Sequence, residues 1–171
     1  MINLSPLYEA FKIISENFKN CDILELGQDT EIKNSSNDVK KNIDIYTNTQ
    51  IIEGLKKIPE ISGYISEEEE SLTFFNTPSD RAIIAIFDPL DGSKNVISNL
   101  TFGTIYGIYL YDVKTNIIVD IIETGYCLYG PSTILVHSVN NETVEMFRLL
   151  ENNFKKITNI TKPTSNAIFS I

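Results

Sequence analysis

The chain has 171 residues, 42% of them hydrophobic, enough for one domain with a core of its own. Its formal net charge of −9, with 14 scattered Lys and Arg, argues against a nucleic-acid partner, and it repels small phosphate esters unless a cation stands between them and the carboxylates. No run approaches the roughly 20 apolar residues of a membrane span, and Cys21 and Cys127 lack disulfide-framework or zinc spacing, so a reducing, cytoplasmic setting without membrane contact is expected.

In chain order, Ser5 as a cap and Pro6 in the first turn predict a helix whose apolar face is Leu7, Phe11, Ile14 and Phe18. Thr30 to Lys41 is polar, and its Asn34–Asp38 cluster reads as a loop. A second helix is predicted from about Asp44 to Lys57, with Ile45, Ile52 and Leu55 inward. Gly63 opens a short strand, Tyr64 to Ser66. From Arg81 the pattern turns β-rich: Ala82–Phe87, Gly103–Tyr111, Asn116–Glu123, Thr133–Val139, Val144–Leu150 and Ala167–Ile171. Apolar residues at nearly every position from Ile117 to Ile122 predict a strand covered on both faces. Short connections favour antiparallel pairing, and helices followed by strands predict an α+β layered fold, with helices packed on a mainly antiparallel sheet. No repeat or linker divides the chain, so residues 1–171 read as one domain.

The segment richest in chemistry is Phe87-Asp88-Pro89-Leu90-Asp91-Gly92-Ser93-Lys94-Asn95, at the end of an apolar strand. Asp88 and Asp91, three apart across a proline-containing turn, can face one cation, and Pro89 leaves the Leu90 carbonyl as a third oxygen ligand. If a helix opens at Ser93, the N–H groups of Gly92, Ser93 and Lys94 point at an anion, so a phosphate could lie between them and the metal. Taken alone, an acidic β-turn explains this segment equally well, and Glu67–Glu70 alone read as a solvated face. His137 reads as an ordinary strand residue, and Glu123, Glu142, Glu145 and Glu151 as strand-edge or turn residues.

Five segments in order carry a resemblance: Asp38-Val39-Lys40-Lys41-Asn42-Ile43-Asp44, Ile65-Ser66-Glu67-Glu68-Glu69, Phe87 to Asn95, Gly103-Thr104-Ile105-Tyr106-Gly107-Ile108-Tyr109 and Gly125-Tyr126-Cys127-Leu128-Tyr129-Gly130. Together they resemble class I fructose-1,6-bisphosphatases, N-terminal half. The resemblance implies Mg²⁺-dependent hydrolysis of a sugar bisphosphate, fructose 1,6-bisphosphate first, with Mn²⁺ or Zn²⁺ as alternative metals. It implies that Glu67, Asp88, Asp91, the Leu90 carbonyl and Asp38 bind metal, and that Glu68 and Asp44 position and deprotonate the attacking water. The resemblance leaves an inositol- or sedoheptulose-type phosphatase as an alternative, since close relatives handle sedoheptulose bisphosphate and inositol phosphatases share the looser Glu-Glu and Asp-Pro-x-Asp-Gly pattern.

Three departures qualify what the resemblance implies. Lys94 replaces the family's second serine after the glycine. Ala82-Ile83 stand where the family has the Lys-Tyr pair that contacts an inhibitory nucleotide, so nucleotide inhibition is not expected. The family's C-terminal substrate subdomain, with its sugar-phosphate pocket and a further acidic ligand, has no counterpart in the sequence. The alternative expectation is therefore a catalytically incomplete fragment or binding module that associates with a full-length relative or with itself as a homo-oligomer.

Overall fold

The computed structural model describes residues 2–20, 28–33, 39–96, 98, 100–140 and 143–160. The first helix, α1 (Ser5–Asn20), follows the predicted period and buries Leu7, Ala10, Phe11 and Ile14. Burying side chains the size of Phe11 or Ile14 contributes about 1.5–3 kcal/mol each. The cap differs from expectation. Asn3 Oδ1 accepts the Ser5 N–H at 3.1 Å, and the Leu4 carbonyl accepts from Leu7 and Tyr8, so Asn3 supplies the capping side chain.

The polar stretch expected as a loop contributes two short strands, β1 (Asp29–Lys33) and β2 (Val39–Lys41), paired antiparallel with Asp29 opposite Lys41. Such a ribbon is held by its backbone ladder, so hydropathy gives no sign of it. The Asn34–Asp38 cluster lies outside the described residues. The second helix, α2 (Asn42–Leu55), starts earlier than predicted and turns Ile43, Thr47, Ile51, Gly54 and Leu55 inward. Ile45 points outward instead, 37% exposed. The helix carries apolar residues on several sides, and the close crossing with α1 selects the inner face: a Cβ added to Gly54 would stand 3.0 Å from the Pro6 carbonyl.

Eight further strands form one sheet: β3 (Ile61–Ser66), β4 (Thr73–Phe74), β5 (Arg81–Asp91), β6 (Phe102–Asp112), β7 (Ile117–Tyr129), β8 (Ile134–Val139), β9 (Val144–Leu150) and β10 (Asn153–Ile160). Their spatial order is β10-β9-β8-β7-β6-β5-β3-β4. Every neighbouring pair is antiparallel except β3 and β5, which run parallel with Ser66 opposite Phe87. Strand β10 follows a tight turn in which Glu151 and Asn152 both take positive φ, and it was not anticipated; the predicted strand 167–171 lies outside the described residues.

Both helices cover one face of this sheet, closing a core that joins Phe11, Ile14, Ile43 and Leu55 to Phe87, Tyr106, Ile108, Cys127 and Tyr129. Cys127 is a buried free thiol, as expected; Cys21 is outside the described residues. The opposite face carries a smaller cluster around Ala82, Ile84 and Tyr111. The expected double coverage of Ile117–Ile122 is corrected: Ile117, Ile118 and Val119 are 59%, 44% and 47% exposed. Strand β7 outruns its neighbour there, since β8 pairs with it only from Glu123 to Leu128.

Candidate metal centre

The parallel pairing of β3 with β5 brings two acidic segments side by side. Strand β3 ends at Ser66, and the ladder extends one step further, with the Glu67 N–H donating to the Phe87 carbonyl at 3.1 Å. The acidic run that follows is then fixed by its own bonds. The Ser66 hydroxyl donates to Asn48 Oδ1 and accepts the Glu68 N–H, while Glu69 accepts from Tyr64 and Asn48. Glu69 is thereby a structural clamp between β3 and α2, Glu68 is buried, and Glu67 is exposed toward the cleft.

On β5 the Asp88–Asp91 segment is not a turn but the end of the strand, carried by a β-bulge. Asp88 faces Ile105 and Asp91 faces Gly103, so Pro89 and Leu90 together stand opposite the single residue Thr104. Pro89 has no N–H to give a ladder, and the bulge absorbs that loss. Asp88 Oδ1 accepts the Leu90 N–H at 2.9 Å. Gly92 then takes φ +80, a left-handed conformation that favours glycine, and turns the chain into a single 3-10 turn, Ser93–Asn95. The helix expected from Ser93 is therefore one short turn.

These pieces line one cleft of about 380 Å³: Asp44, Glu67, Glu68, Asp88, Leu90, Asp91, Gly92, Ser93 and Lys94, joined by Lys41 and Asn95. Every site residue expected from the sequence lines it except Asp38, which lies outside the described residues. Lys41 carries no sequence signal for the site, because its polar neighbourhood reads as a loop, whereas it ends β2. Its backbone N–H donates to Asp44 Oδ2 at 2.7 Å across the start of α2, and the Ser93 hydroxyl also bonds Asp44.

Electrostatics sets this cleft apart. Burial, then the nearby Glu67 carboxylate and its hydrogen bond, push Asp88 up to about 7, against the pull of the Leu90 N–H. Burial likewise raises Asp44, against the Lys41 N–H and the Ser93 hydroxyl. Carboxylates held this close retain a proton or require a cation, and their oxygen donors suit a hard divalent ion such as Mg²⁺. Among the described residues no three His, Cys, Asp or Glu side chains already stand in ligating arrangement, so the site is an acidic cleft and not a closed cage.

The family model of the fructose-1-6-bisphosphatase N-terminal domain matches residues 1–159. The chain belongs to the fructose-1,6-bisphosphatase family. It is 32% identical over 156 residues to a class 1 fructose-1,6-bisphosphatase of Halorhodospira halophila, covering 85% of this chain and 46% of that protein. It is 30% identical to a cytosolic fructose-1,6-bisphosphatase of Musa acuminata, covering 70% of this chain and 36% of that one. In fold it is similar to the Leishmania major fructose-1,6-bisphosphatase in its holo form, with a TM-score of 0.78 and 24% identity, across 90% of this chain and 52% of that chain. The chain spans about half the length of the Halorhodospira halophila and Leishmania major relatives it matches.

One reading of a single residue is corrected by the packing. Glu123, expected at a strand edge, is buried, and its Oε1 accepts from Tyr8 at 2.5 Å, Tyr106 at 2.9 Å and His137 Nδ1 at 2.9 Å. His137 belongs to this network on β8, with Glu145 3.5 Å from its other nitrogen. The network ties α1 to the sheet, away from the acidic cleft; Glu145 sits half-buried on β9, Glu151 is in the β9–β10 turn, and Glu142 lies outside the described residues.

Proposed function

We propose that this domain carries the metal centre of a sugar-bisphosphate phosphatase, with Mg²⁺ as the metal and hydrolysis of fructose 1,6-bisphosphate to fructose 6-phosphate and phosphate as the reaction. The observation that carries the reading is the convergence of Asp44, Glu67, Glu68, Asp88, Leu90, Asp91 and the Gly92–Lys94 turn on one acidic cleft. Glu67, Asp88, Asp91 and the Leu90 carbonyl are the ligands, with Asp38 as a further one. Bound there, divalent metal would stabilise the leaving oxygen and lower the pKa of the attacking water.

Asp44 and Glu68 orient that water, and Asp44 takes its proton. A carboxyl raised by burial is a stronger base than an ordinary aspartate, and the Lys41 N–H and Ser93 hydroxyl hold it in a fixed orientation. The 3-10 turn brings Ser93 and the backbone of Gly92 to the transferring phosphate, and Lys94 and Lys41 supply the cationic side chains on the cleft wall. Residues 1–171 act as one domain in this scheme, in the cytoplasm and in a homo-oligomer or with a longer relative that contributes the sugar pocket. The open arrangement of the cleft, where among the described residues no three carboxylates stand in ligating arrangement, favours a second reading, a domain that binds metal but turns over substrate only with such a partner.

Phosphate release from fructose 1,6-bisphosphate, with and without Mg²⁺, separates the two when the parent chain is run beside Asp91→Ala. Metal-dependent release lost in the variant supports catalysis by this domain. Metal binding without release, restored by adding a full-length relative inactivated at its own metal ligands, supports the second reading. Neither binding nor release sinks both.

A further inference from the structure

The bulge that shapes the acidic cleft is held from behind by a side chain outside the cleft. Thr104 is the single β6 residue opposite Pro89 and Leu90, and it is fully buried. Its hydroxyl donates to the Pro89 carbonyl at 2.9 Å, taking the place of the backbone donor that the two-against-one register removes. A threonine hydroxyl has one proton, and here it goes to a carbonyl that can only accept. The Tyr129 hydroxyl, 2.9 Å from Thr104 Oγ1, is therefore the donor in the second bond. Tyr129 is itself buried, so its ring cannot swing out to water, and burial holds the phenol protonated.

We propose that Thr104, oriented by Tyr129, is a positioning residue for the metal centre: its hydroxyl fixes the Pro89–Leu90 bulge and so pre-sets the spacing of Asp88, the Leu90 carbonyl and Asp91. This rests on the metal reading of the cleft. Without the hydroxyl the Pro89 carbonyl is buried without its donor, the bulge relaxes, and the Leu90 N–H bond to Asp88 loosens with it. Supporting groups one layer behind metal ligands typically change affinity by about 10–100-fold.

The test titrates the full chain with Mn²⁺ alone, read by electron paramagnetic resonance, and follows amide hydrogen exchange in the metal-free chain. Asp88→Ala should abolish binding, Thr104→Val should weaken it about tenfold, and Thr104→Ser, which keeps the hydroxyl, should restore it to within about twofold. In metal-free Thr104→Val, exchange at the Leu90 amide should rise while Ile84 and Ile86 amides in the same strand stay protected, a selectivity that general loss of stability does not produce. Unchanged Mn²⁺ affinity in Thr104→Val overturns the inference; should that variant not fold, unchanged affinity in Tyr129→Phe does so. A parent chain that binds no Mn²⁺ overturns the metal reading and this inference together, whereas normal parent binding with an indifferent Thr104 overturns this inference alone.

Discussion

At the scale of single residues, the acidic cleft and the Glu123 network pose the same physical problem and solve it differently. Glu123 is buried with three donors converging on one oxygen, so removing it takes that acceptor from the Tyr106 phenol and leaves the Tyr8 hydroxyl and His137 Nδ1, 3.0 Å apart, with only each other. Glu123→Ala should cost about 3 kcal/mol in urea unfolding, and Tyr8→Phe, which removes one donor only, about 1 kcal/mol. Asp88 has a neighbouring carboxylate where Glu123 has donors, and its folded pKa is raised from 3.8 to about 7. The folded state therefore binds the proton more tightly than the unfolded chain. Its contribution to stability is complete below about pH 4 and is lost as pH rises toward 7. Asp88→Asn, which cannot ionise, should melt above the parent at pH 7.5 by about 2–4 °C in the absence of metal. The gap should narrow toward pH 4.5; a gap that stays constant with pH would rule out Asp88 as its source.

Among the elements, β3 sets the position of the acidic run. It is clamped between a parallel neighbour and an antiparallel one, and the acidic run leaves from its end. A Cβ at Gly63 would stand 2.5 Å from the Thr73 carbonyl and 2.8 Å from the Phe74 ring, and the first of these is backbone that can yield only by moving β4. Gly63→Ala should cost about 1–3 kcal/mol and weaken Mn²⁺ binding, because the strand that sets Glu67 and Glu68 shifts with it. Gly130, where a Cβ meets nothing within 4 Å, is the control. Gly130→Ala should leave both the unfolding midpoint and the Mn²⁺ titration close to the parent values.

For the molecule as a whole, the acidic cleft lies where β3, β5 and the start of α2 meet, so the proposed ligands on β5 and just after β3 come together only in the folded chain. Metal should then stabilise folding by mass action. At a concentration about 100 times the dissociation constant the gain is about 2.7 kcal/mol, a rise of roughly 5–10 °C in Tm for a chain of this size. Differential scanning fluorimetry with Mg²⁺ or Mn²⁺ should record it in the parent and not in Asp88→Ala.

The sequence by itself determined the two helices, most of the strands, the family resemblance and all but Lys41 and Asn95 of the residues that line the cleft. Their signals are local: a 3.6-residue period in α1, apolar strands closed by acidic or glycine-containing segments, and ordered motifs that stay legible however the chain packs. Only the tertiary structure decided that Asp88–Asp91 is a bulged strand end and not a turn, because a bulge exists only against the register of β6. Packing also turned Ile45 outward, left Ile117–Val119 exposed and buried Glu123 beneath α1. Each of those outcomes depends on which neighbour arrives from far along the chain, Tyr8 for Glu123 and Thr104 for Pro89, and local pattern holds no record of that distance.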